Sequence, residues 1–217
     1  MALPVPCLAL VTNRHLYPSP DALVEAVAQA VDGGVDLVQV RERDLPGGPL
    51  LALALRLREA TLGRALLFIN DRADVALLCA ADGVHLPEAG LPPGAVRRLV
   101  GDRLLVGASV HSVDAGRRAA EEGAHFLLAG TIFPSPSHPG QEAAGVGLLT
   151  ALRRAVRVPL LAIGGITPHN APECIAAGAE GVAVITAILG QPDPRTAARR
   201  LKESLHQAWE ERRGRGW

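Results

Sequence analysis

Eight short apolar runs recur along the chain, at Cys7–Thr12, Leu37–Arg41, Ala65–Asn70, Gly83–Leu86, Leu105–Ser109, Phe126–Ile132, Leu160–Ile163 and Gly181–Thr186. Each is close to continuous in apolar residues, as expected for parallel strands covered on both faces. The stretches between them follow helical spacing. Leu23, Val27, Ala30 and Val31 share one helical face, as do Leu148, Leu149, Leu152 and Val156, and a last helix presents Ala198, Leu201, Leu205 and Trp209. Thr167-Pro168 and Asp193-Pro194 each set a capping residue before a proline at the first helical position. A glycine joint recurs where helix gives way to strand, in Asp32-Gly33-Gly34-Val35-Asp36, Ala81-Asp82-Gly83-Val84, Glu122-Gly123-Ala124-His125 and Ala177-Gly178-Ala179-Glu180.

Repeated strand–helix units joined by short connections predict an α/β protein, a single (β/α)8 TIM barrel over residues 1–210, with a frayed polar tail over 211–217. An open doubly wound sheet fits less well, because no G-x-G-x-x-G follows the first strand. The chain's 217 residues are near the lower end for one such barrel. Lys and Arg number 22, as do Asp and Glu, so net charge offers no attraction to nucleic acid or to a membrane surface. Cys7, Cys79 and Cys174 form neither a CxxC pair nor a zinc spacing, and they read as reduced thiols of a cytoplasmic protein. No signal peptide or membrane-spanning run is expected.

Chemistry in this architecture sits at the carboxyl ends of the strands. Thr12-Asn13-Arg14 follow the first run. Gln39, Arg41 and Arg43 share one face of the second, where a guanidinium can clamp an anion or pair with Glu42 or Asp71. Asn70-Asp71 end the third run, and His85 lies on the fourth. Ser109 and His111 end the fifth, and Ser112 is placed to cap the next helix. Thr131 leads into a Pro- and Ser-rich loop carrying Ser135, Ser137 and His138, expected to act as a lid over Pro134–Gly145. Gly164 and Gly165, with Ile185 and Thr186 after the eighth run, form the expected phosphate site, although the glycine pair also suits a plain tight turn. His138 is equally consistent with a phosphate contact and with a solvated loop residue.

These segments resemble one family along nearly the whole chain. Gln39-Val40-Arg41-Glu42-Arg43, Asn70-Asp71 with Ala81-Asp82-Gly83-Val84-His85, Gly130-Thr131-Ile132-Phe133-Pro134-Ser135, Ala162-Ile163-Gly164-Gly165-Ile166 and Ala177-Gly178-Ala179-Glu180-Gly181-Val182-Ala183-Val184 are similar, in order, to blocks of the thiamin-phosphate-synthase/thiazole-tautomerase (TenI-type) family. That resemblance implies one of two activities. The synthase joins a pyrimidine diphosphate to a thiazole phosphate and releases pyrophosphate with Mg²⁺. The tautomerase shifts a proton in a phosphorylated carboxythiazole and needs no metal.

Two departures from the synthase pattern bear on this choice. Asp71 would be one Mg²⁺ carboxylate, but Gly90 stands where the second falls, and Glu88 could replace it only by a rearranged loop. The loop Ser135-Pro136-Ser137-His138 keeps the hydroxyls of the synthase's T-x-T-K but not its permanent cation. Gly107-Ala108-Ser109-Val110-His111-Ser112, by contrast, resembles the tautomerase block whose histidine is the acid/base. The resemblance therefore favours a tautomerase, an isomerase with His111 as its catalytic residue, no cofactor, and a phosphorylated thiazole as small-molecule partner. The alternatives are the Mg²⁺-dependent synthase, with Asp71 as metal ligand, and a non-catalytic thiazole-phosphate-binding regulator. Neither nucleic acid nor membrane is an expected partner, and a homodimer through exposed helices is the expected assembly.

Overall fold

The computed structural model describes residues 3–134 and 143–214. Eight strands form a closed parallel barrel in sequence order: β1 (Cys7–Val11), β2 (Leu37–Val40), β3 (Leu66–Asn70), β4 (Gly83–Leu86), β5 (Leu105–Val110), β6 (Phe126–Ala129), β7 (Leu160–Ile163) and β8 (Gly181–Val184). Closure comes from β1 pairing with β8, Cys7 against Gly181 and Leu10 against Val184. Outside lie α1 (Pro20–Asp32), α2 (Gly47–Thr61), α3 (Ala73–Leu78), α4 (Pro93–Val100), α5 (Val113–Glu121), α6 (Gly147–Ala155), α7 (Ala171–Ala176), α8 (Thr186–Leu189) and α9 (Pro194–Gly214). The predicted (β/α)8 barrel is thus the observed fold.

Side chains on alternate strand positions divide the core in two. One set, including Leu8, Leu10, Val38, Ile69 and Val106, packs outward against the helices. The other, including Cys7, Ala9, Leu37, Phe68, Phe126 and Leu161, fills the barrel. Phe68 and Phe126 meet edge to face there, with centroids 5.4 Å apart. Room for the rings is made by glycines on neighbouring strands: a Cβ at Gly83 would stand 2.2 Å from Phe68 Cε1, and one at Gly107 2.4 Å from Phe126 Cζ.

The amino-terminal rim carries a fourfold clasp. Asp36 Oδ2 accepts from Leu8 N–H and Lys202 Nζ. Asp82 Oδ2 accepts from Leu67 N–H and Arg58 Nη1. Glu180 Oε2 accepts from Leu160 N–H and Arg153 Nη1. His125 holds the fourth place: its Nδ1 accepts from Val106 N–H, and its Nε2 lies 3.1 Å from Arg97 Nη1. Desolvation, and then the Arg97 charge, hold this imidazole below its ordinary pKa. Each acceptor stands just before an even-numbered strand and ties down the preceding odd one, with a cation from the helix before that odd strand in three cases and from α9 in the first.

Local boundaries differ from expectation in three places. β2 stops at Val40 because Arg41 N–H donates to Thr12 Oγ1 instead of to the ladder. Thr167-Pro168 does not open α7: Asn170 Oδ1 takes the Thr167 N–H, and the helix begins only at Ala171. The polar segment expected to fray from residue 211 is helical to Gly214, where Arg212 lies over Trp209 and donates to Ile175 and Ala179 carbonyls. Asp193-Pro194 and Ser112 cap as expected, accepting from Thr196 and Ala115 N–H.

Candidate active site

The carboxyl ends of the strands open into one cavity of about 800 Å³. Its walls take Gln39, Arg41 and Arg43 from the end of β2, Asn70 from β3, Ser109 and His111 from β5, Thr131 from the segment after β6, Gly164 and Gly165 after β7, and Ile185 and Thr186 after β8. Val11, Leu128, Ile163 and Ala183 add apolar surface from the barrel interior. Ser135, Ser137 and His138 lie outside the described residues, as does most of the loop expected to act as a lid.

Within the barrel mouth the polar groups are paired across strands. Gln39 Nε2 donates to Asn70 Oδ1 at 3.1 Å. Glu42 does not pair with Arg41. It turns outward, where the buried carboxylate accepts from Thr12 Oγ1 at 2.6 Å and from Arg14 N–H. Arg41 and Arg43 make no ion pair among the described residues. Desolvation, and then the neighbouring Arg43, pull Arg41 below the usual guanidinium range, but it remains a cation at neutral pH. Two guanidiniums with no ion pair among the described residues give that wall of the cavity positive charge.

His85, sealed in the interior, contacts Ser109: Nε2 and Oγ are 2.8 Å apart. Burial, and then Arg41, lower its pKa to about 3, so it stays neutral in ordinary buffers. His111 stands at the rim, about half exposed, and its N–H and Nδ1 both lie 2.7 Å from Glu88 Oε2. Neither pair is visible in sequence spacing, since both join residues 23 or 24 positions apart across adjacent elements.

The glycine pair has a packing reason besides any ligand. Gly164 and Gly165 have φ of 102° and 61°, and a Cβ at Gly165 would stand 2.4 Å from Pro134 O. The same turn brings the segment after β6 close, with Phe133 N–H donating to Gly164 O. Both features leave bare backbone facing the cavity.

The two-carboxylate magnesium site of the synthase pattern is not formed. Position 90 does adjoin Asp71, because a Cβ there would lie 3.1 Å from Asp71 Oδ1. Glycine supplies no carboxylate, however, and Glu88 is engaged by His111. Among the described residues no group of three His, Cys, Asp or Glu side chains could hold a metal. None of the described helices is long and apolar enough to cross a membrane.

Fold and site together define the class: a (β/α)8 barrel with a cavity of small-molecule size at its carboxyl rim. The chain belongs to the TMP-TENI family, described as thiamine monophosphate synthase, whose sequence profile matches residues 8–188. It is 47% identical over 184 residues to the thiamine-phosphate synthase of Methanoculleus marisnigri, covering 82% of this chain and 86% of that one. To the thiamine-phosphate synthase of Moorella thermoacetica it is 42% identical over 188 residues, covering 85% and 89%. The solved thiamine phosphate pyrophosphorylase of Pyrococcus furiosus superposes with a TM-score of 0.84 at 34% identity, covering 93% of this chain and 96% of that one.

These relatives overturn the tautomerase, and with it the isomerase, expected from the sequence. Proteins 40% to 47% identical over most of the chain carry the synthase name. The expectation leans on Gly90, on the cation missing from Ser135-Pro136-Ser137-His138 and on the block around His111, a few positions against a likeness spread over residues 8–188. The acid/base role expected of His111 belonged to that reaction; the structure places His111 on the cavity wall with its Nδ1 against Glu88.

Proposed function

We propose that this protein is a thiamine-phosphate synthase, a transferase that couples a hydroxymethylpyrimidine diphosphate to a thiazole phosphate and releases pyrophosphate. The observation that carries this reading is the pair of guanidiniums, Arg41 and Arg43, which make no ion pair among the described residues, in a cavity also lined by a glycine turn. A departing diphosphate develops negative charge, and fixed cations in a partly desolvated wall stabilise it more than the ground state. Gln39 and Asn70, bonded to each other, keep a free amide oxygen and a free amide nitrogen for an amino-substituted ring. Gly164, Gly165 and the start of α8 at Thr186 offer backbone to the phosphate of the second substrate. At about 800 Å³ the cavity can hold both substrates together, which turns a two-body encounter into a step between oriented neighbours. Relatives of this name imply Mg²⁺; Asp71 would hold it, but the described donor set does not supply the family's second carboxylate, so the two arginines carry a larger share of the leaving group's charge.

Mixing the purified protein with both precursors, with and without Mg²⁺, and following pyrophosphate and thiamin phosphate tests the reading. Arg41→Ala should lower kcat/KM on the order of 100-fold. Folded protein that yields neither product in either arm would refute it.

A further inference from the structure

The ring of His85 owes its position to a missing side chain. On β4 it stands in register with Asn70 of β3 and Gly107 of β5. Because Gly107 is bare, the imidazole lies across β5: a Cβ there would be 2.7 Å from Nδ1. Phe126 closes the space from the next strand, its ring tilted 36° at 5.8 Å. One nitrogen, Nε2, reaches Ser109 Oγ on the cavity wall. The other, Nδ1, is buried with no hydrogen-bond partner among the described residues.

A neutral imidazole carries its proton on one nitrogen only. Placed on Nδ1, the proton would be a buried donor facing glycine with its desolvation uncompensated. Placed on Nε2, it is used in the bond to Ser109, and only a lone pair is left unmatched, a milder deficit than a stranded N–H. We propose that His85 is a positioning residue: it donates its Nε2 proton to Ser109 Oγ and so commits the Ser109 hydroxyl hydrogen to the cavity as a fixed donor for a phosphoryl oxygen. Arg41 and Ser109 line the same cavity, and the Arg41 charge acts on this imidazole. The diphosphate in this statement rests on the synthase reading, whereas the proton's location does not.

Two measurements test it. In the free protein labelled with ¹⁵N-histidine, the resonances lost in His85→Gln identify this ring, and they should report a protonated Nε2 and a bare Nδ1 throughout the neutral range. A proton on Nδ1 overturns the proposal. Calorimetric titration with inorganic pyrophosphate should show about tenfold weaker binding for Ser109→Ala and for His85→Leu, with no further loss in the double variant. His85→Gln, whose amide nitrogen can donate to Ser109, should stay within about threefold of wild type. Unchanged affinity in His85→Leu, or losses that multiply in the double variant, would overturn the proposal. If wild type binds no pyrophosphate, the phosphoryl contact given to Ser109 is overturned, while the product assay decides the synthase reading separately.

Discussion

Gly107→Ala is a one-carbon change whose cost should depend chiefly on Phe126 and secondarily on His85. The added methyl would stand 2.4 and 2.6 Å from Phe126 Cζ and Cε1, and 2.7 Å from His85 Nδ1, where relaxed carbon contacts need about 3.5–4.0 Å. Phe126 and His85 are almost wholly buried, so neither can swing into solvent. Overpacking of this kind costs about 1–3 kcal/mol, and the depth of the overlap puts it near 3. Phe126→Leu alone removes buried ring carbons and should cost about 1–2 kcal/mol. Leucine lacks Cζ and Cε1, the two atoms closest to the new methyl. The double variant should therefore lose only about 2–3 kcal/mol, against about 4–5 if the effects were independent. Urea unfolding of the four proteins, followed by far-ultraviolet circular dichroism, gives the coupling directly. Free energies that add within about 0.5 kcal/mol would refute the packing argument.

Gly90→Asp should place a second carboxylate beside Asp71, lowering the melting temperature without metal and restoring it with millimolar Mg²⁺; equal melting temperatures in both conditions would count against that geometry. Acid should weaken the fold through His85. Its pKa falls from about 6.5 unfolded to about 3 folded, so its contribution is complete above pH 6.5 and is lost as pH drops toward 3, by roughly 1.4 kcal/mol per unit. The wild-type stability curve should therefore be steeper than that of His85→Gln in that window, and parallel curves would contradict it. Asp82→Ala, which strands Leu67 N–H and the half-sealed Arg58, should cost roughly 3 kcal/mol in chemical denaturation, whereas Asp32→Ala, in exposed pairs with Arg64 and Arg195, should cost under about 1 kcal/mol.

The barrel is legible in the sequence because its strands are buried on both sides, which leaves eight apolar runs and little else to explain them. The rim follows in part from the same pattern: polar residues on the inward face of a run's end, Gln39, Asn70 and Ser109, line the mouth, while Thr12 and Glu42 do not. What sequence hides is lateral. That His85 meets Ser109, that Glu88 takes His111, and that Glu42 abandons Arg41 for Thr12 depend on strand register and on the empty space over Gly107. Thr167-Pro168 misleads for a local reason, since the side chain of Asn170 satisfies the turn before any helix begins. Sequence motifs mislead on the choice between activities because a missing carboxylate at Gly90 and a histidine at 111 are single positions, while the likeness to synthases is distributed.

The fourfold arrangement at the amino-terminal rim bears on the order in which a growing chain can assemble. Three of its quarters are self-contained in short stretches, from Arg58 to Asp82, from Arg97 to His125 and from Arg153 to Glu180. The quarter that holds the first two strands is not, because the ammonium that neutralises Asp36 belongs to Lys202, 166 residues downstream. The first two strands therefore gain their clasping cation only once α9 has docked, whereas each of the other three quarters can complete its own within one helix–strand–helix–strand stretch.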